Sequence, residues 1–189
     1  MFLLRRPTDA AVRAFLQAQA RLEFTYSECG ATAAIPPLGY VVDHTRMQLG
    51  SGDETFRRAQ ACLRRWRQFD LGWLRAFPDD TPIHKDAVVA VVACTLGVWS
   101  INAARIVYVI DEPRRFGFAY GTLPGHVERG EERFFVERCD DDSVWYDILA
   151  FSQPRHLLTK LGYPLVRRLQ KQFGRDSVAA MLRAVGPAR

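Results

Sequence analysis

The residues best suited to chemistry lie in one short stretch, where His126 is followed by the carboxylates Glu128, Glu131 and Glu132. Alternate side chains of a strand share a face, so Glu132 points to the core if Phe134 does. A carboxyl group placed there is desolvated, its pKa rises, and it can act as a general acid or base, with His126 sharing the proton transfer. The competing interpretation is a solvated loop-end histidine and a glutamate that pairs with an arginine or a backbone amide.

Two other patterns that could carry chemistry are weaker. Ser152 and His156 stand four residues apart, but no G-x-S-x-G elbow surrounds the serine, and capping of the next turn explains it. The G-S-G segment at residues 50–52 lacks the G-K-[ST] of a phosphate loop. Ser51 and Glu54 have instead the S-x-x-E spacing of a capping box, which predicts a helix start.

The histidines and cysteines do not have the spacing of a metal site. The chain has four of each, without a C-x-x-C or an H-x-x-x-H pair, so neither a metal nor a cofactor is predicted. The cysteines are widely spaced, and the apolar patch at the N-terminus is too short for the hydrophobic region of a signal peptide. Both features favour reduced thiols and a cytoplasmic location. No transmembrane span is predicted, because Ser100, Asn102 and Arg105 interrupt the apolar stretch that begins at residue 87.

The positive charge is concentrated near the C-terminus. From residue 154 onward there are eight basic residues and one acidic residue, a net charge of +7 in a chain whose total is +5. Arg167, Arg168, Lys171 and Arg175 could contact an anionic membrane surface or an acidic partner, although such a run is also typical of a solvated helix face. The charge is local and no aromatic residues interleave it, so nucleic-acid binding is not predicted.

The elements that must position these residues follow from hydrophobic periodicity. Thr8 is a candidate N-cap for a first helix, and Phe56, Ala59, Leu63 and Trp66 form the apolar stripe of a second. Period-two patterns predict strands at 40–49, 71–77, 87–98, 103–110, 116–123, 131–138 and 144–151. The short gaps contain turn residues, which predicts hairpins and an antiparallel meander.

A last apolar stripe, from Leu165 to Val185, predicts a long amphipathic helix with Pro164 in its first turn and Gly174 as a candidate kink. A curved meander has one face to bury, and this helix is the natural cover. The predicted fold class is therefore α+β, a curved antiparallel sheet of about six to seven strands around a C-terminal helix. Residues 1–189 are predicted to form one domain, with an N-terminal helical elaboration over roughly 1–38.

The strand over residues 116–123 has an unusual face. Alternation places Gly117, Ala119, Gly121 and Leu123 on one side and the aromatic residues on the other. Small residues in a row leave room beside the backbone, either for close packing of a helix or bent strand, or for a ligand. Both interpretations stay open.

The segments FGFAYGTLPGH at 116–126 and GEERF at 130–134 resemble a family of bacterial and plant proteins known as domain of unknown function nineteen-ninety. The resemblance extends to FTY at 24–26, GAT at 30–32 and the FSQPR segment at 151–155. That family resembles the helix-grip superfamily, which includes START-like lipid carriers and birch-pollen-allergen-like proteins. The resemblance implies a sheet that grips the C-terminal helix over an apolar cavity, and it brings no catalytic residues.

Three hypotheses for function follow. The first is a binding protein whose cavity takes a small hydrophobic or amphipathic ligand. The predicted wall consists of aromatic side chains and three polar contacts: Tyr26, Trp66, Tyr120, His126, Glu132, Phe134, Trp145 and Phe151. The second is an enzyme of the same fold, with His126 and Glu132 as acid–base groups. The third is an interaction protein that docks through its basic C-terminal helix.

Overall fold

The structure, a computed structural model, describes residues 1–155 and 162–186. The elements in chain order are β1 (Phe2–Leu3), α1 (Asp9–Gln19), β2 (Val41–Ser51), α2 (Gly52–Arg64), β3 (Leu74–Phe77), β4 (Val88–Thr95), β5 (Val98–Glu112), β6 (Arg115–Thr122), β7 (Glu128–Arg138), β8 (Ser143–Pro154) and α3 (Tyr163–Val185). Short 3-10 turns at Ala31–Ala33 and Arg67–Phe69 connect some of them.

The strands form one antiparallel sheet in the order β2-β8-β7-β6-β5-β4-β3, with β1 added beside β5 outside that path. From β3 to β8, neighbours in the sheet are neighbours in sequence, so the predicted meander is confirmed. Pairing is interrupted between Ile106 and Tyr108 of β5 and between Gln48 and Gly50 of β2. Such bulges bend a strand and increase its twist, and they help the sheet to curl into a half-barrel.

Helix α3 lies in the concave face of this sheet, as the α+β prediction required. The hydroxyls of Tyr146 on β8 and Ser177 on α3 are both buried and lie 2.8 Å apart, within hydrogen-bond distance. Gly174 stands where α3 approaches β2, since a Cβ atom there would lie 2.8 Å from Oγ1 of Thr45. The helix runs without a break through Gly174, so this glycine allows close approach and does not interrupt the helix.

Two hydrophobic clusters lie on opposite sides of the sheet. The larger joins the stripe of α2 and the C-terminal half of α3 to the concave face, and it includes Phe56, Leu63, Phe118, Phe134, Val178 and Met181. The smaller packs Val12 and Leu16 of α1 against Ile101 and Leu123 on the convex side. Within the described residues, no helix is both long and apolar enough to cross a lipid bilayer.

Both helices begin where the sequence predicts, but only one of them has the predicted side-chain cap. Oγ1 of Thr8 accepts the Ala11 N–H at 3.2 Å and caps α1, as predicted. Helix α2 begins directly after Ser51, as the S-x-x-E spacing predicts, but the Ser51 side chain makes no capping hydrogen bond with it. Ser51 is also the last residue of β2, where it pairs with Ser143.

Candidate functional site

A cavity of about 640 Å³ lies between the concave face of the sheet and the N-terminal half of α3. Farther along, Met181 and Val185 of α3 belong to the packed core, so the open space is confined to the end where α3 begins. Most of the wall is apolar and is formed by Phe69, Trp73, Leu74, Val91, Ala93, Leu165, Val166, Leu169 and Phe173. Its volume lies within the range of about 300–1,000 Å³ that is typical of ligand pockets.

One part of the wall is polar, and strand β7 supplies two of its carboxyl groups. Period-two alternation along β7 places Glu128, Gly130 and Glu132 on the same face, and all three line the cavity. Gly130 between them has a φ of +145°, and a Cβ atom there would lie 1.9 Å from the carbonyl oxygen of Phe151. Other polar residues that line the cavity include Asp43, Ser100, Asn102, Tyr120, Thr122, His126, Ser152 and Gln170.

Glu132 is held by a tyrosine. The two residues are opposite each other in the β6–β7 register, and the hydroxyl of Tyr120 donates to Oε2 of Glu132 at 2.7 Å. Burial, only partly offset by this hydrogen bond, raises the pKa of Glu132 to about 7. The structural interpretation, in which Glu132 pairs with an arginine or a backbone amide, is therefore wrong.

Glu128 is held by helix α3. Nε2 of Gln170 donates to Oε1 of Glu128 at 2.7 Å and to the hydroxyl of Ser152 at 3.1 Å. Burial raises the pKa of Glu128 to about 7, while Gln170 and the charge of Arg167 act in the opposite direction. From the sequence, Glu128 is one of the nearby carboxylates and is assigned no role, although its even spacing from Glu132 on a strand predicts that both face the same side.

His126 also lies on the cavity wall, but it is neutral. Its Nδ1 accepts the backbone N–H of Glu128 at 3.0 Å, so the ring proton is on Nε2. Burial and, next, the positive charge of the Met1 amino group lower the pKa of His126 to about 3. His126 is a half-buried residue of the turn after β6, as the loop-end interpretation has it, but it lines the cavity. Near neutral pH it supplies a hydrogen-bond donor without a positive charge.

Glu131 lies between Gly130 and Glu132 on β7, and its carboxylate is bound on the other face of the sheet. It is 2% exposed, and its carboxylate accepts from the hydroxyl of Tyr26 at 2.7 Å and from the N–H groups of Gly30 at 2.7 Å and Thr32 at 3.0 Å. The hydroxyl of Thr32 donates to it as well. This carboxylate thus fastens the segment before β2 to the convex side of the sheet.

Of the eight predicted site residues, four line the cavity and four lie elsewhere in the described part of the chain. Tyr120, His126 and Glu132 are brought together on the cavity wall. Phe151 borders the cavity, but its ring packs against the ring of Tyr26 with the centroids 5.6 Å apart. Tyr26 is on the convex side, where its hydroxyl occupies the space that a Cβ of Gly121 would need. The small-residue face of β6 is therefore used for close packing.

Three predicted wall residues lie elsewhere. Trp66 follows α2 in a left-handed conformation and donates through Nε1 to the carbonyl of Thr81 at 2.7 Å, deep in the core. Phe134 is fully buried in the same core cluster. Trp145 is on the opposite face of β8 from the buried Tyr146, with the guanidinium of Arg46 5.1 Å from its ring. None of these three is among the residues that line the cavity in the described part of the chain.

The remaining sequence patterns contribute little to the site. Ser152 lies on the wall as a hydrogen-bond acceptor for Gln170, and its suggested partner His156 lies outside the described residues. Arg167 of the basic helix binds Asp43 through both of its terminal nitrogens, at 2.5 and 2.7 Å. Within the described ranges, no group of three or more histidine, cysteine or acidic residues could hold a metal ion.

Replacing Glu132 by glutamine should change how stability depends on pH. The pKa of Glu132 is higher in the folded state than the unfolded value of 4.5, so its contribution to stability is present below that value and is lost as the pH rises through about 7. Glutamine keeps an acceptor for Tyr120. The variant should match the parent protein at about pH 4 and be more stable by about 1–3 kcal/mol at about pH 8.

Chemical denaturation at both pH values measures this difference. Glu112→Gln is the matched control, because Glu112 pairs with Arg115 near the surface and no similar gain is expected there. If the difference in unfolding free energy between the variant and the parent protein were the same at low and high pH, the assignment of a desolvated carboxyl at Glu132 would be contradicted. The titration of His126 is common to both proteins and cancels in the comparison.

Comparison with known proteins agrees with this architecture. The sequence model of the family described as "Domain of unknown function (DUF1990)" matches residues 25–180. A protein of Dictyostelium discoideum named "UPF0548 protein" is 36% identical over 208 residues, which cover 98% of this chain and 96% of that protein.

Two solved structures have the same fold at low sequence identity. The hypothetical protein jhp0584 from Helicobacter pylori aligns with a TM-score of 0.57 and 12% identity, over 87% of this chain and 96% of that chain. Ara h 8.0201 aligns with a TM-score of 0.52 and 13% identity, over 78% of this chain and 98% of that chain. At such identities the likeness concerns the fold alone, and the helix-grip architecture implied by the sequence resemblance is confirmed.

Proposed function

The chain belongs to the DUF1990 family, whose description states no function, and we propose that it binds a small hydrophobic or amphipathic ligand between the sheet and α3. The observation that carries this proposal is the cavity of about 640 Å³ with its largely apolar wall and its few polar groups at one side. Pockets for small molecules have this composition, because apolar contacts supply affinity and a few polar groups orient the ligand.

The entrance to the cavity supports the same proposal. Leu4, Leu96 and Leu165 line the cavity and are 87%, 86% and 44% exposed, respectively. Apolar side chains at a rim allow an apolar molecule to leave water before it is fully enclosed. Once it is inside, each Å² of apolar surface removed from water contributes about 25 cal/mol to binding. An amphipathic ligand would place its polar end toward β7 and its apolar body toward Phe69 and Phe173.

Native mass spectrometry of the gently purified protein tests this proposal. We expect adducts that disappear after extraction with organic solvent. The extracted protein should then bind one molecule of an uncharged polarity-sensitive dye such as N-phenyl-1-naphthylamine, and an uncharged competitor such as decanol should displace it. The absence of both an adduct and saturable dye binding would overturn the proposal.

Acid–base catalysis on the bound ligand is a second candidate function. It is favoured by one observation, which is that Glu128 and Glu132 both line the cavity and both have a pKa of about 7. Groups that titrate near the working pH are the most effective proton carriers. In this scheme the two glutamates exchange protons, and neutral His126 contributes a hydrogen bond.

Docking through the basic helix is not part of the proposal. Arg167 is neutralised by its two hydrogen bonds to Asp43, and the exposed Arg168, Lys171 and Arg175 fit a solvated helix face. We place the protein in the cytoplasm, because its four cysteines are free thiols and a reducing compartment maintains them in that state.

A further inference from the structure

The polar side of the cavity holds carboxyl groups that lack a positively charged partner. Glu132 accepts from the Tyr120 hydroxyl through Oε2, and Glu128 accepts from the Gln170 amide through Oε1. Both donors are neutral. Among the described residues, the second oxygen of each carboxyl has no hydrogen-bond partner. Neither of these two oxygens is fully buried. Both glutamates line the cavity, so these oxygens are available to a ligand.

The charged and titratable groups around the two glutamates compensate their charge only in part. The guanidinium of Arg167 is held by Asp43, which leaves that pair neutral as a whole. The ring of His126 is neutral because its Nδ1 accepts a hydrogen bond. When Glu128 and Glu132 ionise, the polar wall therefore carries negative charge with no bonded cation.

Carboxylates that are partly shielded from water and lack a cation are costly, and proteins normally pair such groups or bind a metal with them. In this cavity no metal cluster is formed by the described residues. The negative charge of two carboxylates that face the same cavity is balanced when the ligand itself carries a positive charge. A protonated amine suits the geometry, since it has several N–H donors and forms the short charge-assisted hydrogen bonds that are strongest with carboxylates.

We propose that the ligand carries a basic nitrogen beside an apolar body, with the protonated nitrogen bound by Glu128 and Glu132 and the body lying against Phe69, Leu169 and Phe173. This inference rests on the proposed ligand-binding function and specifies the chemical class of the ligand. It distinguishes the cavity from one built for a fatty acid, whose carboxylate would be repelled by the same two groups.

A series of probes that differ only in the head group tests the inference. Decylamine, decanol and decanoate share one apolar chain, and their dissociation constants can be measured by displacement of the fluorescent dye or by calorimetry. We expect decylamine to bind about tenfold or more tightly than decanol, as charge-assisted hydrogen bonds predict. Decanoate should bind more weakly than decanol.

Variants of the two glutamates identify the groups responsible. Glu128→Gln and Glu132→Gln should each weaken decylamine about tenfold while they change decanol less than about threefold. Circular dichroism verifies that the variants are folded. Glu112→Gln, which alters an exposed carboxylate paired with Arg115, should leave the affinities for all three probes unchanged.

Three outcomes would overturn the inference. Equal affinity for decanol and decylamine would mean that the cavity binds apolar chains without selecting an amine, and the proposed function would survive alone. An amine preference that persists in the double variant of Glu128 and Glu132 would place the cation elsewhere. Failure of all three probes to bind would remove the proposed function together with the inference.

Discussion

Glu131→Gln should destabilise the protein by about 2–4 kcal/mol, although it changes only one atom of the side chain. Two donors meet each oxygen of this buried carboxylate, the Tyr26 hydroxyl and the Gly30 N–H on one and both donors of Thr32 on the other. An amide can accept at one oxygen only. Its NH₂ group must then face two donors, and at least one of them is a backbone N–H that cannot rotate away.

Urea denaturation near neutral pH measures this loss, and Glu132→Gln is a closely matched control. It is the same substitution at the next residue of β7, but Glu132 meets a single donor, the hydroxyl of Tyr120, which the amide oxygen still satisfies. Hydrogen exchange should also show reduced protection of residues 25–33 in Glu131→Gln. Equal stability of the two variants would show that Glu131 does not hold this segment.

Ala150→Trp should reduce ligand binding about a hundredfold or more, because the indole would occupy the space that the ligand needs. Ala150 lies on the cavity wall, where it pairs with Glu132 of β7 and Asp43 of β2. A large side chain in a well-packed core is destabilising, but here it enters open space, so the fold should be retained. The fluorescent dye and decanol are suitable probes.

Val42→Trp is the control for this change. Val42 is on the neighbouring strand, is 45% exposed and does not line the cavity, so the same enlargement there should leave the dissociation constants as they are. Circular dichroism of both variants verifies that the sheet is intact. Undiminished binding to Ala150→Trp would mean that the ligand binds at another place, and the proposed function would have to be abandoned in its present form.

The GEERF segment shows how one strand serves both sides of the sheet. Glu131 and Arg133 face the convex side, where Arg133 donates to the carbonyl of Thr32 at 2.9 Å and to Asp147 at 2.8 Å. Glu132 and Phe134 face the concave side, one beside the cavity and one in the core. The FTY and GAT segments lie in the loop before β2. Glu131 and Arg133 of the GEERF segment bind this loop, which is the physical link between the three segments.

Much of this arrangement is encoded locally. Hydrophobic period and turn residues suffice to predict the meander, the two helical stripes and the inward direction of Glu132, since each depends on neighbours a few residues apart. The raised pKa of Glu132 follows from that direction and from burial. Thr8 as a cap of α1 is likewise a local matter.

Other features arise from contacts between distant parts of the chain. Alternation says which residues share a face, but not whether a helix, a loop or a hollow covers that face. The path of the loop before β2 put Tyr26 outside the cavity, against a glutamate 105 positions away. Trp66 lies in the core and not on the predicted wall, because a helical stripe does not specify how deep a residue lies. The cavity itself exists because α3 packs closely at its C-terminal half only, and this depends on how whole elements fit together.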